Sequence, residues 1–233
     1  MDVDDLGTIV SIWAHPDDES YLAGGVMAAA VAAGSRVVCV SATAGERGTD
    51  DPVRWPPERL GPVRRWEAAA ALAVLGVREH HFLGYSDGSL AGLDPAAPVG
   101  TLTALLDDVR PDTILTFGPE GMTFHPDHQA VSRWVSAAWA AAGRPGRLLH
   151  AVMSSDHLEE WGPTYESWQV FMTEERPTGV PVEDLALHLV LDGTALDQKI
   201  AALAAMHTQT AAAIALLGDA YRTLNAAECF VAA

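Results

Sequence analysis

Cysteine is scarce in this 233-residue chain, and so are basic side chains and long apolar runs. The two cysteines, Cys39 and Cys229, lie near opposite ends of the chain and form no CxxC pair, which excludes a disulfide framework. Each thiol is expected to be a small, inert, buried side chain. No apolar run approaches about 18 residues, and the first residues carry no basic signal-like segment, so we expect a cytoplasmic protein.

Positive charge is also rare: Lys and Arg number 14 against 31 Asp and Glu, a formal net charge of −17. A surface this negative repels phosphate backbones and anionic lipid headgroups, which argues against nucleic acid or a membrane as partner. A small neutral or cationic ligand fits better. The sequence leaves homo-oligomer formation open.

Short β-branched runs alternate with longer Ala- and Leu-rich segments. We predict strands over 8–13, 36–41, 80–83, 113–117 and 148–153, and helices over 22–33, 64–75, 102–109 and 127–142. Residues 42–63 are rich in Gly and Pro and predict a long loop. This alternation predicts right-handed βαβ crossovers, hence an α/β, Rossmann-like three-layer fold with a mostly parallel sheet.

Beyond residue 154 the alternation weakens. Strands are predicted over 168–172 and 185–191, and helices over 195–206 and 210–217. With no repeat or linker, we expect one domain over 1–233, in which 1–153 form the sheet core and 154–233 complete it. Three tryptophans at apolar-face positions are predicted to be core, and two in predicted loops could stack on a sugar: Trp13, Trp66 and Trp134, then Trp55 and Trp161.

A cluster of acids follows the first predicted strand, where a dinucleotide-binding chain would carry GxGxxG. The sequence from Ala14 to Glu19 reads AHPDDE. Ligands of open α/β sheets bind beyond the carboxyl ends of the strands, and so many like charges repel one another unless a cation binds them. The alternative is a plain helix start, with Pro in the first turn and acids complementing the helix dipole.

A second cluster, HPDH at 125–128, follows the strand predicted over 113–117. Its two imidazoles are three residues apart and therefore lie on one helix face. Two ligands from the first turn and one from the second would leave a coordination position open, as in catalytic zinc sites. Zinc is the first choice, and Fe²⁺, Co²⁺ and Mn²⁺ suit the same donors.

These two motifs together resemble the LmbE-like N-deacetylases, also called the PIG-L family, which includes the N-acetylglucosaminyl-phosphatidylinositol de-N-acetylase and the deacetylases of mycothiol and bacillithiol synthesis. The likeness covers most of the chain. It includes Gly45-Glu46, Arg64 with Glu67, the run 82–88, and Lys199 with His207. The resemblance implies that His15, Asp18 and His128 bind the metal and that Asp17 is the general base.

The resemblance further implies that His125 stabilises an oxyanion or donates a proton, and that Arg64 meets substrate hydroxyls. Glu46 is a second candidate for substrate binding because its loop lies near the expected pocket. Relatives that act on mycothiol precursors have a tyrosine two positions before the first histidine of the second motif. This chain has Thr123 there, so His125 would carry more of that role.

Two remaining acids of the motifs, Glu19 and Asp127, are expected behind the metal ligands, because a ligating histidine usually donates its other N–H to a carboxylate. A simple helix-start role is the alternative for both. Five other histidines have no partner at ligand spacing and are expected to play no part in the chemistry: His80, His81, His150, His157 and His188.

The expected activity is hydrolysis of an N-acyl group, most simply N-acetyl, from a small amino sugar or sugar-like conjugate. A metal-bound water would attack the amide once Asp17 had taken its proton. The alternatives are hydrolysis of another amide, such as that of a thiol conjugate, and an idle metal- or sugar-binding module. A binding-only site needs neither Asp17 beside Asp18 nor His125 opposite, which favours the enzyme.

Overall fold

The computed structural model describes residues 2–233, whose seven strands form one sheet in the order β3-β2-β1-β4-β5-β7-β6. The strands are β1 (Ile9–Trp13), β2 (Val37–Thr43), β3 (Glu79–Tyr85), β4 (Thr113–Phe117), β5 (Arg147–Ala151), β6 (Leu187–Val190) and β7 (Ala227–Ala232). The first five pair in parallel, whereas β7 is antiparallel to both β5 and β6. The winding direction reverses between β1 and β4, which makes the carboxyl ends of these strands the expected ligand crevice.

The helices are α1 (Asp18–Ala32), α2 (Pro57–Leu75), α3 (Ala96–Val109), α4 (Gly121–Phe124), α5 (Pro126–Ala141), α6 (Ser155–Ser167), α7 (Gly193–Ala205), α8 (His207–Leu217) and α9 (Ala220–Leu224). Helices α1, α2 and α7 pack together, and α3 packs on α5. Because parallel crossovers are right-handed, these two groups cover opposite faces of the sheet. The predicted α/β fold with a mostly parallel sheet is confirmed.

The core lies on both faces of the central strands. Every residue of β1, β2 and β4 is buried, as expected for parallel strands covered by helices on both sides. Trp13 and Phe117 meet edge to face with ring centroids 4.9 Å apart. Both cysteines are free and buried, as predicted. Among the described residues, no helix is long and apolar enough to cross a bilayer.

Several local predictions are wrong. Helix α2 begins at Pro57, inside the predicted loop, because proline fits the first helical position, where no intrahelical N–H bond is needed. Residues 168–172 form no strand, whereas α6 and β7 were missed. Helix α6 has no buried residue and includes Pro163, and an internal proline is a signal against a helix in the sequence. Trp66 is 78% exposed rather than core, while Trp13 and Trp134 are buried as predicted.

Candidate active site and metal centre

The turn between β1 and α1 carries three consecutive acidic residues, Asp17, Asp18 and Glu19, on a strained backbone. Asp17 has a φ of 107°, which a non-glycine residue rarely adopts. The conformation is held from two sides: the Asp17 amide donates to Glu19 Oε2 at 3.0 Å, and Arg64 Nη2 donates to Asp17 Oδ2 at 3.0 Å and to the carbonyl of Pro16. The His15 amide donates to Asp18 Oδ2 at 2.8 Å. The carboxylates of Asp17 and Asp18 therefore point to different partners.

Three side chains from the two motifs, the triad of His15, Asp18 and His128, meet at the carboxyl ends of β1 and β4. His15 Nδ1 lies 3.2 Å from His128 Nε2. The Asp18 carboxylate lies 3.4 Å from His128 Nε2 through Oδ1 and 3.6 Å from His15 Nδ1 through Oδ2. Ligands about 2.0–2.1 Å from a tetrahedral zinc are about 3.3 Å from one another, so this spacing fits such an ion.

The hydrogen bonds behind these atoms orient their lone pairs. His128 Nδ1 lies 3.0 Å from the Gly121 carbonyl, which can only accept, so Nδ1 carries the hydrogen and Nε2 presents a lone pair. His15 Nε2 faces two carboxylates, Asp87 Oδ1 at 3.1 Å and Asp127 Oδ2 at 3.5 Å, which favour a hydrogen on that nitrogen. His15 Nδ1, His128 Nε2 and the Asp18 carboxylate thus face one point, an arrangement that a cation stabilises.

The electrostatics of the cluster favour a positive charge. Burial alone would lower the pKa of His15, but hydrogen bonds that its ring donates to the carboxylates of Asp127, Asp18 and Asp87 raise it well above its ordinary value. Burial lowers the pKa of His128 to about 4, so that ring is neutral and can ligate. The donor set of two imidazoles and a carboxylate suits zinc. Two further groups of possible metal ligands, with ligand atoms within 4.8 Å of one another, also include His15: one adds His125 and His128, and the other adds Asp87 and Asp127.

The adjacent acids Asp17 and Asp18 titrate in opposite directions. Burial raises the pKa of Asp17 to about 7 although Arg64 opposes the shift. Burial acts on Asp18 in the same sense, but the histidines His128 and His15 outweigh it and hold its pKa well below the ordinary value. Carboxylates whose environments separate their pKa values in this way take different chemical roles.

His125 is placed as an uncharged donor. Its Nδ1 accepts from the Asp127 amide at 3.1 Å, so the ring hydrogen sits on Nε2. Burial, followed by the charge of His15, lowers the pKa of His125. Its ring centroid is 4.9 Å from that of His15 and 4.7 Å from that of His128. The neutral ring can therefore donate a hydrogen bond beside the triad.

Asp127 and Asp87 hold the loop after β3 against the histidines. Asp127 accepts from the Gly88 amide at 2.7 Å and the Leu90 amide at 2.9 Å, and it also faces His15. Asp87 was not predicted as a site residue. Its position in the loop after β3 was the available signal, because polar side chains after each parallel strand reach the same edge of the sheet.

Glu19 bonds within the turn between β1 and α1. It is fully buried, its oxygens accept from the Asp17 amide and from the Ser20 hydroxyl at 2.9 Å, and it lies behind the turn rather than behind a histidine. Burial, and then the charges of Asp17 and Asp18, raise the pKa of Glu19 to about 8. Glu19 therefore bonds to the turn at Asp17 rather than to a histidine, and its expected place behind the metal ligands stays a prediction.

Arg64 is only 3% exposed, and its guanidinium donates to the carbonyls of Gly45 and Pro16 and to Asp17. These bonds give Arg64 a role in holding Asp17, and direct contact with a substrate stays a prediction. Glu46 Oε1 accepts from the Asp87 amide at 2.9 Å. Arg64 Nε and Glu46 Oε2 are buried without a partner.

Other residues noted in the sequence lie outside this cluster. Lys199 is completely buried and forms an ion pair of 2.7 Å with Glu228. His207 begins α8, whose next residue, Thr208, donates to the Glu67 carboxylate. Thr123 lines a cavity that adjoins Asp18 and His128.

Comparison with known proteins shows the family of this chain. The family model described as GlcNAc-PI de-N-acetylase, PIG-L, matches residues 10–139. A 1D-myo-inositol 2-acetamido-2-deoxy-alpha-D-glucopyranoside deacetylase of Mycolicibacterium vanbaalenii is 32% identical over 228 residues, which cover 86% of this chain and 80% of that protein. A protein of the same name from Saccharomonospora viridis is 35% identical, and the alignment spans 62% of each chain.

Among solved structures, N,N'-diacetylchitobiose deacetylase from Pyrococcus horikoshii superposes with a TM-score of 0.67 at 19% identity and covers 98% of this chain and 84% of that one. At that identity the likeness concerns the fold. The family match spans both clusters, from Val10 before the first to Trp139 beyond the second. This chain therefore belongs to the PIG-L, or LmbE-like, family.

Proposed function

We propose that this chain is a metal-dependent amidohydrolase that removes an N-acyl group from an amino sugar or a sugar-like conjugate. One observation carries the proposal. The lone pairs of His15 Nδ1 and His128 Nε2 and the Asp18 carboxylate face one point at mutual distances of 3.2–3.6 Å, and Asp17 lies beside them without belonging to the set. Related proteins named as deacetylases of acetylated glucosamine derivatives support the amide class of substrate.

His15, Asp18 and His128 would hold the metal, with zinc as first choice and Fe²⁺, Co²⁺ or Mn²⁺ as alternatives. When bound, such an ion polarises the scissile carbonyl and acidifies a coordinated water. Asp87 and Asp127 would keep the hydrogen of His15 on Nε2, so that Nδ1 stays free to ligate.

Asp17 would act as the general base. Arg64 holds Oδ2, which leaves Oδ1 to accept a proton from the attacking water. Burial raises the pKa of Asp17 to about 7 in the metal-free site, which places this carboxyl among groups that exchange protons near neutral pH. The same carboxyl can then return the proton to the departing amine nitrogen.

His125 would stabilise the developing oxyanion. Its hydrogen lies on Nε2, and the neutral ring can donate to an oxygen beside the triad without first losing a charge. A chain that only stored a metal or bound a sugar would need neither this donor nor Asp17. The second candidate functions, a thiol-conjugate amidase and an idle binding module, are separated by the experiment below.

The test combines metal analysis with release of free amine. Protein purified without chelator, or stripped and reloaded with zinc, should hold one metal per chain and release amine from N-acylated glucosamine glycosides. A thiol-conjugate amide assayed in parallel separates the two substrate classes. Absence of bound metal after zinc dialysis contradicts the metal-dependent mechanism, and stoichiometric metal with no amine release from either substrate supports the binding module instead.

A further inference from the structure

A cavity of about 310 Å³ opens beside the proposed metal ligands. Asp18 and His128 form part of its wall, it extends between α6, the segment 168–170 and the beginning of β7, and neither Arg64 nor Glu46 lines it. This volume is near the lower end of the range for small-molecule sites. The cavity is therefore continuous with the reaction centre and large enough to hold part of a substrate.

Polar side chains in the cavity wall bond to one another. The hydroxyls of Tyr21 and Tyr221 lie 2.9 Å apart. His157 Nε2 lies 2.7 Å from the Tyr165 hydroxyl, and because burial lowers the pKa of His157, the neutral ring accepts while the phenol donates. These pairs leave few groups able to recognise a polar ligand.

The wall also contains the carboxylate of Glu228, whose oxygens both have partners. Glu228 Oε1 accepts from Lys199 Nζ and from the Gly25 amide, both at 2.7 Å, and Oε2 accepts from the Val26 amide at 2.8 Å. The remaining wall includes the apolar side chains of Met122, Met153, Trp168 and Val170. A ligand that enters the cavity therefore meets a predominantly apolar surface.

The opposite side of the triad has the complementary chemistry. Among residues 2–233, the buried side-chain atoms without a hydrogen-bond partner include Arg64 Nε and Glu46 Oε2, and neither residue lines the cavity. Arg64 Nε and Glu46 Oε2 lie in or against the loop after β2. Buried polar atoms without partners are costly unless a ligand satisfies them, so a hydroxyl-rich group fits there.

We propose that the cavity binds the acyl chain of the substrate and that this chain is an apolar alkanoyl group longer than acetyl. The inference rests on the amidohydrolase function proposed above. With the amide carbonyl at the triad, the sugar lies toward Arg64 and Glu46 and the acyl chain enters the cavity. A water occupies about 30 Å³ of liquid, so the cavity has room for on the order of ten waters, far more than the methyl group of acetyl displaces.

The reaction itself is ordinary hydrolysis. The carbonyl–nitrogen bond breaks, one carbon–oxygen bond forms from water, and the products are a carboxylate and an ammonium group. No oxidant or other co-reactant is needed. Only the size of the acyl group differs from that of the acetylated substrates named for the relatives.

The experiment measures kcat/KM for glucosamine N-acylated with acetyl, butanoyl, hexanoyl or octanoyl, with detection of the free amine. We expect kcat/KM to rise by roughly fourfold per added methylene until the cavity is filled, because each methylene leaves water for an apolar surface. Val170→Trp, which fills the cavity from a half-buried loop position, should abolish the rise of kcat/KM with chain length. Met172→Trp is the matched control, because Met172 is 55% exposed and lies outside the lining.

The outcomes separate the two proposals. No amine release from any member of the series by zinc-loaded protein contradicts the proposed function. Release from the acetyl substrate alone, or a kcat/KM that is flat or falls with chain length, upholds the proposed function and overturns the inference about the cavity. A rise that persists in Val170→Trp as it does in Met172→Trp shows that the chain binds elsewhere, which also overturns it.

Discussion

Replacing Asp17 by Asn should abolish turnover while the metal stays bound. Asn is the substitution of choice because it tolerates a positive φ better than most residues, and the native φ is 107°. Its amide oxygen can still accept from Arg64 Nη2, which lies 3.0 Å from Asp17 Oδ2. The turn should therefore keep its shape while the only group lost is the proton acceptor.

The size of the effect follows from the role of the carboxylate. A missing general base typically lowers kcat by about 10²–10⁴-fold, which is about 3–5 kcal/mol of activation free energy.

The same substitution should raise the free energy of unfolding. Burial raises the pKa of Asp17 to about 7, so the folded state favours the neutral acid. The stability that this shift provides is full below the unfolded pKa of about 3.9 and is lost as the pH rises toward 7. At pH 8, metal-free Asp17→Asn should thus unfold with a free energy about 1–3 kcal/mol higher than the wild type.

The assay pairs metal content with amine release, and Asp18→Asn is the matched comparison. Asp18 lies 3.4 Å from His128 Nε2 and 3.6 Å from His15 Nδ1, so its neutral variant should lose metal affinity as well as activity. If Asp17→Asn releases the metal while Asp18→Asn retains both metal and most activity, the roles of the two acids are reversed. Full activity in Asp17→Asn refutes the general-base assignment.

Two further predictions concern Arg64 and His80. Arg64→Lys should lower kcat about 10–100-fold and reduce the free energy of unfolding by about 2–4 kcal/mol, because a lysine cannot satisfy Asp17 and both buried carbonyls. Burial lowers the pKa of His80 to about 4, so the stability of its neutral form is full above about pH 6.5 and is lost as the pH falls to 4. His80→Gln should therefore flatten the fall in unfolding free energy over this interval by up to about 3 kcal/mol, measured by urea denaturation.

Neighbours in sequence provide the controls. Arg65→Lys keeps the charge of the exposed side chain next to Arg64 and should leave the kinetics as in the wild type, whereas His81→Gln removes the exposed charge next to His80 and should flatten the fall in unfolding free energy less than His80→Gln does. A raised KM with unchanged kcat in Arg64→Lys would assign Arg64 to substrate binding. An unaltered stability profile in His80→Gln would show that this ring stays solvated in the folded protein.

The central half of the fold could be read from the sequence because its signals are local. Strands such as β1 and β4 are continuous apolar runs, and parallel strands buried on both faces have this composition. Helix α6 and strand β7 escaped notice for the opposite reason. Helix α6 has no buried residue, and β7 contains Glu228, whose buried charge is balanced by Lys199 and by backbone amides of α1, all distant in sequence.

The sequence by itself determined the two motifs, the residue types available to a metal and the edge of the sheet where they meet, since strand ends in a parallel sheet share one edge. Tertiary structure alone decided what each side chain does there. The spacing of His15, Asp17 and Asp18 could not show that Arg64 holds one acid while two histidines hold the other, because those contacts join residues up to 113 positions apart. Burial and partners, not sequence neighbours, set the charge and direction of each group.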